Sequence, residues 1–154
     1  MSLENTNARY LERLPEPADF VTMDASFISL KLLLPVAKGW LNLQSRNSNV
    51  AGSIELEIGD RTLGIVALIK PQFEAGRGKL SKRGVVRDPE VHRAVLEDIV
   101  QFAAESGLGL SGLMASPVVG PKGNVEFLAW LRFGQYTLTA PAAIDMALRE
   151  ASSG

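Results

Sequence analysis

Residues 63–69, Leu-Gly-Ile-Val-Ala-Leu-Ile, form an almost continuous aliphatic run that is closed by Lys70 and Pro71. The run has no polar face, so it fits a strand covered on both sides rather than one with a wet surface. Such a strand belongs in the interior of a parallel sheet, and parallel neighbours require long crossovers, usually helical, which points to a layered α/β domain. The run stops at a lysine. A buried strand end does not hold an unpaired ammonium, so Lys70 needs a partner or a chemical task, unless its stem snorkels the charge to water.

The flanking segments supply what this strand needs. Residues 19–23 read as a short strand ending at Asp24, and Ser26 is placed to cap a helix that runs to Leu41. Residues 42–49 read as a polar loop, 53–58 as an alternating ribbon strand and Gly59-Asp60 as a turn. Asp88, followed by Pro89 and Glu90, opens a second helix whose apolar positions Val91, Val95, Ile99 and Phe102 mark one face until Gly107. Residues 108–117 and 125–133 read as two strands around a Gly120-Pro121-Lys122-Gly123 turn, a spacing that suits an antiparallel pair. A short helix over 141–151 closes the chain, with 152–154 fraying. The expected class is α/β, a mixed sheet with right-handed crossovers and an antiparallel edge.

Composition narrows the functional classes. The 154 residues, 46% apolar and 21% charged, suffice for one core. Zero cysteines and one histidine exclude a disulfide framework, a thiolate metal site and a multi-histidine centre, and fit a reducing, cytoplasmic setting. A net charge of −1 gives no bulk attraction to nucleic acid, so any such contact must come from a local patch. The most apolar stretch, 27–41, carries Lys31, Pro35 and Lys38, which a span of about 20 apolar residues would not hold near its middle. It reads as an amphipathic helix, and no stable membrane insertion is expected. The start lacks the basic-then-apolar order of a signal peptide, and Met1-Ser2-Leu3 reads as a vector-derived start joined mid-protein.

Four places could carry chemistry. Asp24 follows a strand at the carboxyl edge where open α/β sheets bind ligands; a helix-capping carboxylate is the bland alternative. Lys70 ends the aliphatic strand at the same edge. Glu126 could join them if its strand neighbours that one, although spacing alone reads it as a solvent-facing strand residue. Residues 76–87 concentrate Arg77, Lys79, Lys82, Arg83 and Arg87 in a glycine-punctuated loop suited to phosphate oxygens, or simply to water. His92 has no ligand-spaced companion and reads as structural. The Gly-Pro-Lys-Gly turn resembles a phosphate nest but lacks the spacing of a nucleotide-binding P-loop.

The strings MDASFISLKLLLP, IVALIKPQFEAGR, GVVRDPEVH and SPVVGPKGNVEFL stand in this order between about Thr6 and Phe133. Together they resemble the hemolysin-A-type, FtsJ-like ribosomal RNA 2′-O-methyltransferases. The resemblance implies a partial Rossmann-like methyltransferase sheet, S-adenosylmethionine as donor, and a Lys-Asp-Lys-Glu tetrad acting on ribosomal RNA or a ribosomal subunit. Asp24 matches the tetrad aspartate, Lys70 the second lysine and Glu126 the glutamate; the first lysine would lie upstream of Met1. A 2′-hydroxyl must shed its proton as its oxygen attacks a methyl group in line, and Lys70 is the natural acceptor. Carboxylates beside it favour its charged form, whereas a second ammonium would disfavour it.

The family's glycine-rich cofactor loop and its ribose-binding acid have no counterpart here. Only Asn7, Ala8 and Arg9, in a string resembling the adenine-pocket stretch, together with Asp24, could line an incomplete S-adenosylmethionine site. The whole chain, 1–154, therefore reads as the C-terminal portion of such a catalytic domain, without the family's N-terminal RNA-binding domain and inactive by itself. A non-catalytic RNA-binding remnant is the alternative, and a hemolysin-like membrane-active protein a remoter one. A longer insert than the family pattern stands between Leu43 and Gly64. Truncation would also leave a bare sheet edge through which the chain self-associates.

Overall fold

The computed structural model describes residues 4–41, 63–133 and 139–153. The elements are β1 (Phe20–Met23), α1 (Leu30–Trp40), β2 (Gly64–Ile69), α2 (Pro71–Glu74), α3 (Pro89–Glu105), β3 (Leu108–Ala115), β4 (Phe127–Phe133) and α4 (Ala140–Ser153). Short 3-10 turns lie at Ala8–Tyr10, Arg77–Lys79 and Pro121–Gly123. The ribbon expected at 53–58, the loop at 42–49 and the turn at Gly59-Asp60 lie outside the described residues, as does all but Leu63 of the insert between Leu43 and Gly64.

The four strands form one sheet in the order β1-β2-β4-β3. β1 runs parallel to β2, while β4 is antiparallel to both β2 and β3. The aliphatic strand is thus interior, as its composition requires, although only one of its two neighbours is parallel. The last two strands make the expected antiparallel pair, with an irregularity between Leu110 and Gly112.

Period-two alternation sorts the sheet's two faces. Ile65, Ala67, Ile69, Phe127, Ala129 and Leu131 are buried on one face and share a core with Leu34 and Ala37 of α1, Leu96 and Ile99 of α3, and Ile144 and Ala147 of α4. The opposite face keeps large side chains open to solvent: Phe20 is 48%, Met114 45% and Trp130 38% exposed. Asp88 caps α3 by accepting from the Glu90 amide at 3.0 Å. Past its far end, Gly107 adopts φ +77°, and Lys38 Nζ donates to the Ser106 carbonyl at 2.6 Å, a cation on the negative end of the helix. Lys31 pairs with Asp98 at 2.5 Å. The two lysines that break the apolar stretch are therefore ties between α1 and α3. Among the described residues no helix is long and apolar enough to cross a membrane.

Candidate active site

β1 and β2 are parallel, so their carboxyl ends lie side by side, and the loop after β1 meets the turn after β2. Five contacts join them. Lys70 Nζ lies 2.6 Å from Asp24 Oδ1 and donates to Ser26 Oγ at 3.2 Å. The Phe27 and Phe73 rings meet at 4.8 Å between centroids, tilted by 46°. Glu74 accepts from Ser29 Oγ at 2.6 Å and from the Leu30 amide at 2.8 Å.

These contacts correct the expectation for the first helix. Its cap is Ser29, whose hydroxyl also accepts from the Lys31 amide, and not Ser26. The helix begins later because Phe27 takes φ +64°, a left-handed conformation that no right-handed helix can pass through. Asp24 is likewise no cap. Its carboxylate is 71% exposed, whereas the Lys70 side chain is only 10% exposed, so the pair sits at a boundary: a sheltered ammonium held by an open carboxylate.

Glu126 lies one step beyond the register pair Ile69–Phe127, which sets it beside Lys70. It is buried, at 5% exposure, which overturns its reading as a solvent-facing strand residue. The reason is local. β4 begins only at Phe127, and the Glu126 carboxylate tucks beneath the preceding turn, where Gly120 makes room: a Cβ there would come within 2.6 Å of Glu126 Cδ. Gln72 Nε2 donates to Glu126 Oε1 at 2.9 Å, and Gln72 Oε1 is buried with no hydrogen-bond partner among the described residues.

Lys70 and Glu126 line a cavity of about 370 Å³ together with Phe27, Phe73, Lys122 and Asn124. A sheltered amine, a buried carboxylate and an aromatic wall converge on this space. Among the described residues no group of His, Cys, Asp and Glu could hold a metal ion.

The basic segment is folded more tightly than a solvated loop. Ser81 accepts from the Gly84 amide at 2.9 Å, and its own amide donates to Val85 at 3.0 Å. The Val86 amide donates to Asn124 Oδ1 at 3.2 Å, while Asn124 Nδ2 reaches the Pro121 carbonyl at 3.0 Å and the Gly84 carbonyl at 3.4 Å. His92 supports the same residue from below, through a hydrogen bond to the Val86 backbone. Its ring meets Phe127 edge-on at 5.7 Å, and burial holds the imidazole below its usual range against the opposing pull of that bond and of Asp88. Lys79, Lys82, Arg83 and Arg87 are exposed, and none is paired with a carboxylate among the described residues. Arg77 opens the 3-10 turn Arg77–Lys79. Of this segment, Leu80 and Gly84 border the Lys70 cavity.

Asp24, Lys70 and Glu126 are thus gathered at one edge, with the basic segment beside them. Asn7, Ala8 and Arg9 are not in that group: Asn7 caps the turn Ala8–Tyr10 by accepting from the Arg9 amide, all three are exposed, and none lines the Lys70 cavity. Residues of the site not singled out from the sequence include Phe27, Gln72, Phe73, Glu74, Leu80 and Asn124. All but Leu80 lie inside the strings that carried the resemblance, and that is the signal that could have found them.

A family model of FtsJ-like methyltransferases matches residues 1–133. A Bacillus subtilis protein, YqxC, provisionally named an rRNA methyltransferase, is 42% identical over 138 residues, 85% of this chain and 41% of its own length. The 16S/23S rRNA (cytidine-2′-O)-methyltransferase TlyA of Mycobacterium tuberculosis is 39% identical over 132 residues, 84% of this chain and 42% of its own length. A solved structure from Streptococcus thermophilus, provisionally named a hemolysin, superposes with a TM-score of 0.76 at 34% identity, covering 99% of this chain and 52% of its own. The chain therefore spans about two fifths of the length of these curated relatives.

Proposed function

The chain belongs to the FtsJ-like methyltransferase family, and on that premise we propose that it forms the acceptor side of a ribosomal RNA 2′-O-methyltransferase in which Lys70 takes the hydroxyl proton. The observation that carries this reading is the Lys70 amine at the cavity wall, held at 2.6 Å by an exposed carboxylate and set beside buried Glu126. A ribose hydroxyl entering the cavity meets Lys70, which accepts its proton once the proton of the Asp24-paired ammonium has passed to water; the ammonium that results is again stabilised by Asp24. Glu126, fixed by Gln72, offers Oε2 as an acceptor that orients the hydroxyl. Phe27 and Phe73 supply an aromatic wall on which the base of an unstacked nucleotide can lie. Phe27 is 90% exposed and strained in backbone, a combination that persists where a site uses it.

S-adenosylmethionine, the general methyl donor of this family, supplies a cationic sulfonium methyl. Of the groups lining the cavity, Lys70 and Lys122 are basic and the one carboxylate, Glu126, is engaged by Gln72, so this lining by itself offers a sulfonium little. Asp24, paired with Lys70 and not among the residues lining the cavity, carries an exposed negative charge that suits a sulfonium. The chain alone is therefore expected to bind the donor weakly and to transfer no methyl group.

The test joins this chain to the residues that precede the matched region in the Bacillus subtilis relative, and assays ribosomal RNA for 2′-O-methylation. Transfer by the chimera, lost on Lys70→Ala, is the expected result. A chimera equally active with Lys70→Ala would remove Lys70 from the chemistry. A chimera that binds ribosomal RNA and donor but never methylates would favour the non-catalytic reading, in which the Lys70–Asp24 pair is only a strut.

A further inference from the structure

Resting on that reading, we propose that Lys122 binds the RNA phosphodiester next to the acceptor nucleotide, so that the Gly-Pro-Lys-Gly turn is a third wall of the acceptor cleft. The turn is built for something other than ease of folding. Lys122 holds φ +62°, in the left-handed region that disfavours a side chain, although a glycine follows immediately at φ +85°. The conformation is enforced from both ends: the Gly120 amide donates to the Asn124 carbonyl at 2.9 Å, and the Gly123 amide to the Gly120 carbonyl at 3.1 Å. Non-glycine strain that the surroundings over-determine collects at functional sites. Phe27, at φ +64°, and Lys122 are two of three described non-glycine residues with positive φ, and both line the same cavity.

Charge says what Lys122 is for. Two ammoniums line the cavity. Lys70 is paired with Asp24, and the buried carboxylate of Glu126 is engaged by Gln72. Lys122 is exposed and, among the described residues, has no carboxylate partner. An exposed lysine lining the same cavity as two aromatic rings and a proton acceptor matches the parts of one nucleotide: base on the rings, ribose at Lys70, phosphate at Lys122. Buried Asn124 anchors this wall from within. Through its bonds to Pro121, Gly84 and Val86 it ties the Lys122 turn to the segment bearing Lys82 and Arg83, so the basic surface continues from the cavity onto the loop.

The experiment uses the 154-residue chain and a labelled single-stranded RNA oligonucleotide, with affinity measured across a salt series for wild type, Lys122→Gly and Lys122→Arg. Each phosphate neutralised contributes about 0.7 to the slope of log affinity against log salt for a single strand. Lys122→Gly is expected to lower that slope by about this amount, and Lys122→Arg to keep it. Because glycine relieves the positive φ, the melting temperature of Lys122→Gly should not fall below wild type, so misfolding cannot mimic the loss. An unchanged slope for Lys122→Gly, with wild type binding normally, overturns the proposal alone. Wild type failing to bind the oligonucleotide at any salt overturns it together with the acceptor-side reading beneath it.

Discussion

Glu74 stands in the same short string as Lys70, yet its geometry makes it a fastener rather than a reagent, and its removal is the sharpest test of how the site is assembled. Its carboxylate takes two hydrogen bonds at the start of α1, from Ser29 Oγ at 2.6 Å and from the Leu30 amide at 2.8 Å. The Leu30 amide has no intrahelical acceptor, and the start of a helix favours negative charge. Hydrogen bonds to an ionised group contribute about 1.5–3 kcal/mol each at most, and lost caps cost about 0.5–2 kcal/mol. Partial exposure and rescue of the amide by water reduce the sum, so Glu74→Ala should cost about 2–4 kcal/mol. For a domain of this size that lowers the melting temperature by roughly 4–16 °C. Glu74→Gln keeps one acceptor and should cost about half as much. Urea titrations of both variants, of Ser29→Ala and of the Glu74/Ser29 double variant give the coupling energy, expected at about 1 kcal/mol or more. A Glu74→Ala chain within about 0.5 kcal/mol of wild type, the size of an ordinary surface substitution, would refute the claim that this residue fixes the loop bearing Asp24, Ser26 and Phe27.

Asn124→Ala strands the buried Val86 amide and two carbonyls, so it should destabilise by about 2 kcal/mol and speed hydrogen exchange at Val86 well beyond the global change; unaltered exchange there would break the link between turn and loop. His92 should give stability a pH dependence. Its folded value lies below 6.5, so the unfolded chain binds the extra proton, and stability is lost as pH falls from above 6.5 toward the folded value. Denaturation midpoints for wild type and His92→Phe over that window should diverge, with the variant flatter; identical slopes would exclude His92 as the source. The face bearing the exposed Phe20, Met114 and Trp130, with β1 at the sheet's edge among the described residues, should drive concentration-dependent self-association, reduced by Phe20→Lys. Sedimentation as a monomer at the highest attainable concentration would count against that surface being sticky.

Much of the sheet was legible because its signals are local. An aliphatic run bounded by glycine and proline, an Asp-Pro-Glu helix start, and a Gly-Pro turn between two apolar segments each fix an element from a few neighbouring residues. The demand that Lys70 find a partner also followed from burial alone, and Asp24 meets it. What local pattern could not reveal is which side chain satisfies a group 40 or more residues away. Local pattern permits Ser26 as the cap, whereas the cap is Ser29 and the acceptor that completes the helix start is Glu74, 44 residues beyond Leu30. Spacing along its own strand alone would make Glu126 solvent-facing. Its burial depends on Gly120 lacking a side chain and on Gln72 reaching across from the neighbouring turn.

The same distinction separates scaffold from chemistry. Every polar group that spans the two loops could be a reagent by residue type, and what sorts them is which partners already consume them. Both Glu74 oxygens are occupied by α1, and Asn124 spends its oxygen and nitrogen on three backbone groups. Lys70 differs. It is sheltered along its stem, engaged on one side by Asp24 and Ser26, and still lines a cavity into which a hydroxyl could come. A group that has to exchange a proton needs that incomplete satisfaction, since a fully bonded amine has no lone pair to offer and a wholly exposed one cannot hold its partner in line. If Asp24→Asn in the active chimera lowers turnover while leaving RNA affinity unchanged, the pair serves the proton; if affinity falls and turnover holds, it only shapes the cleft.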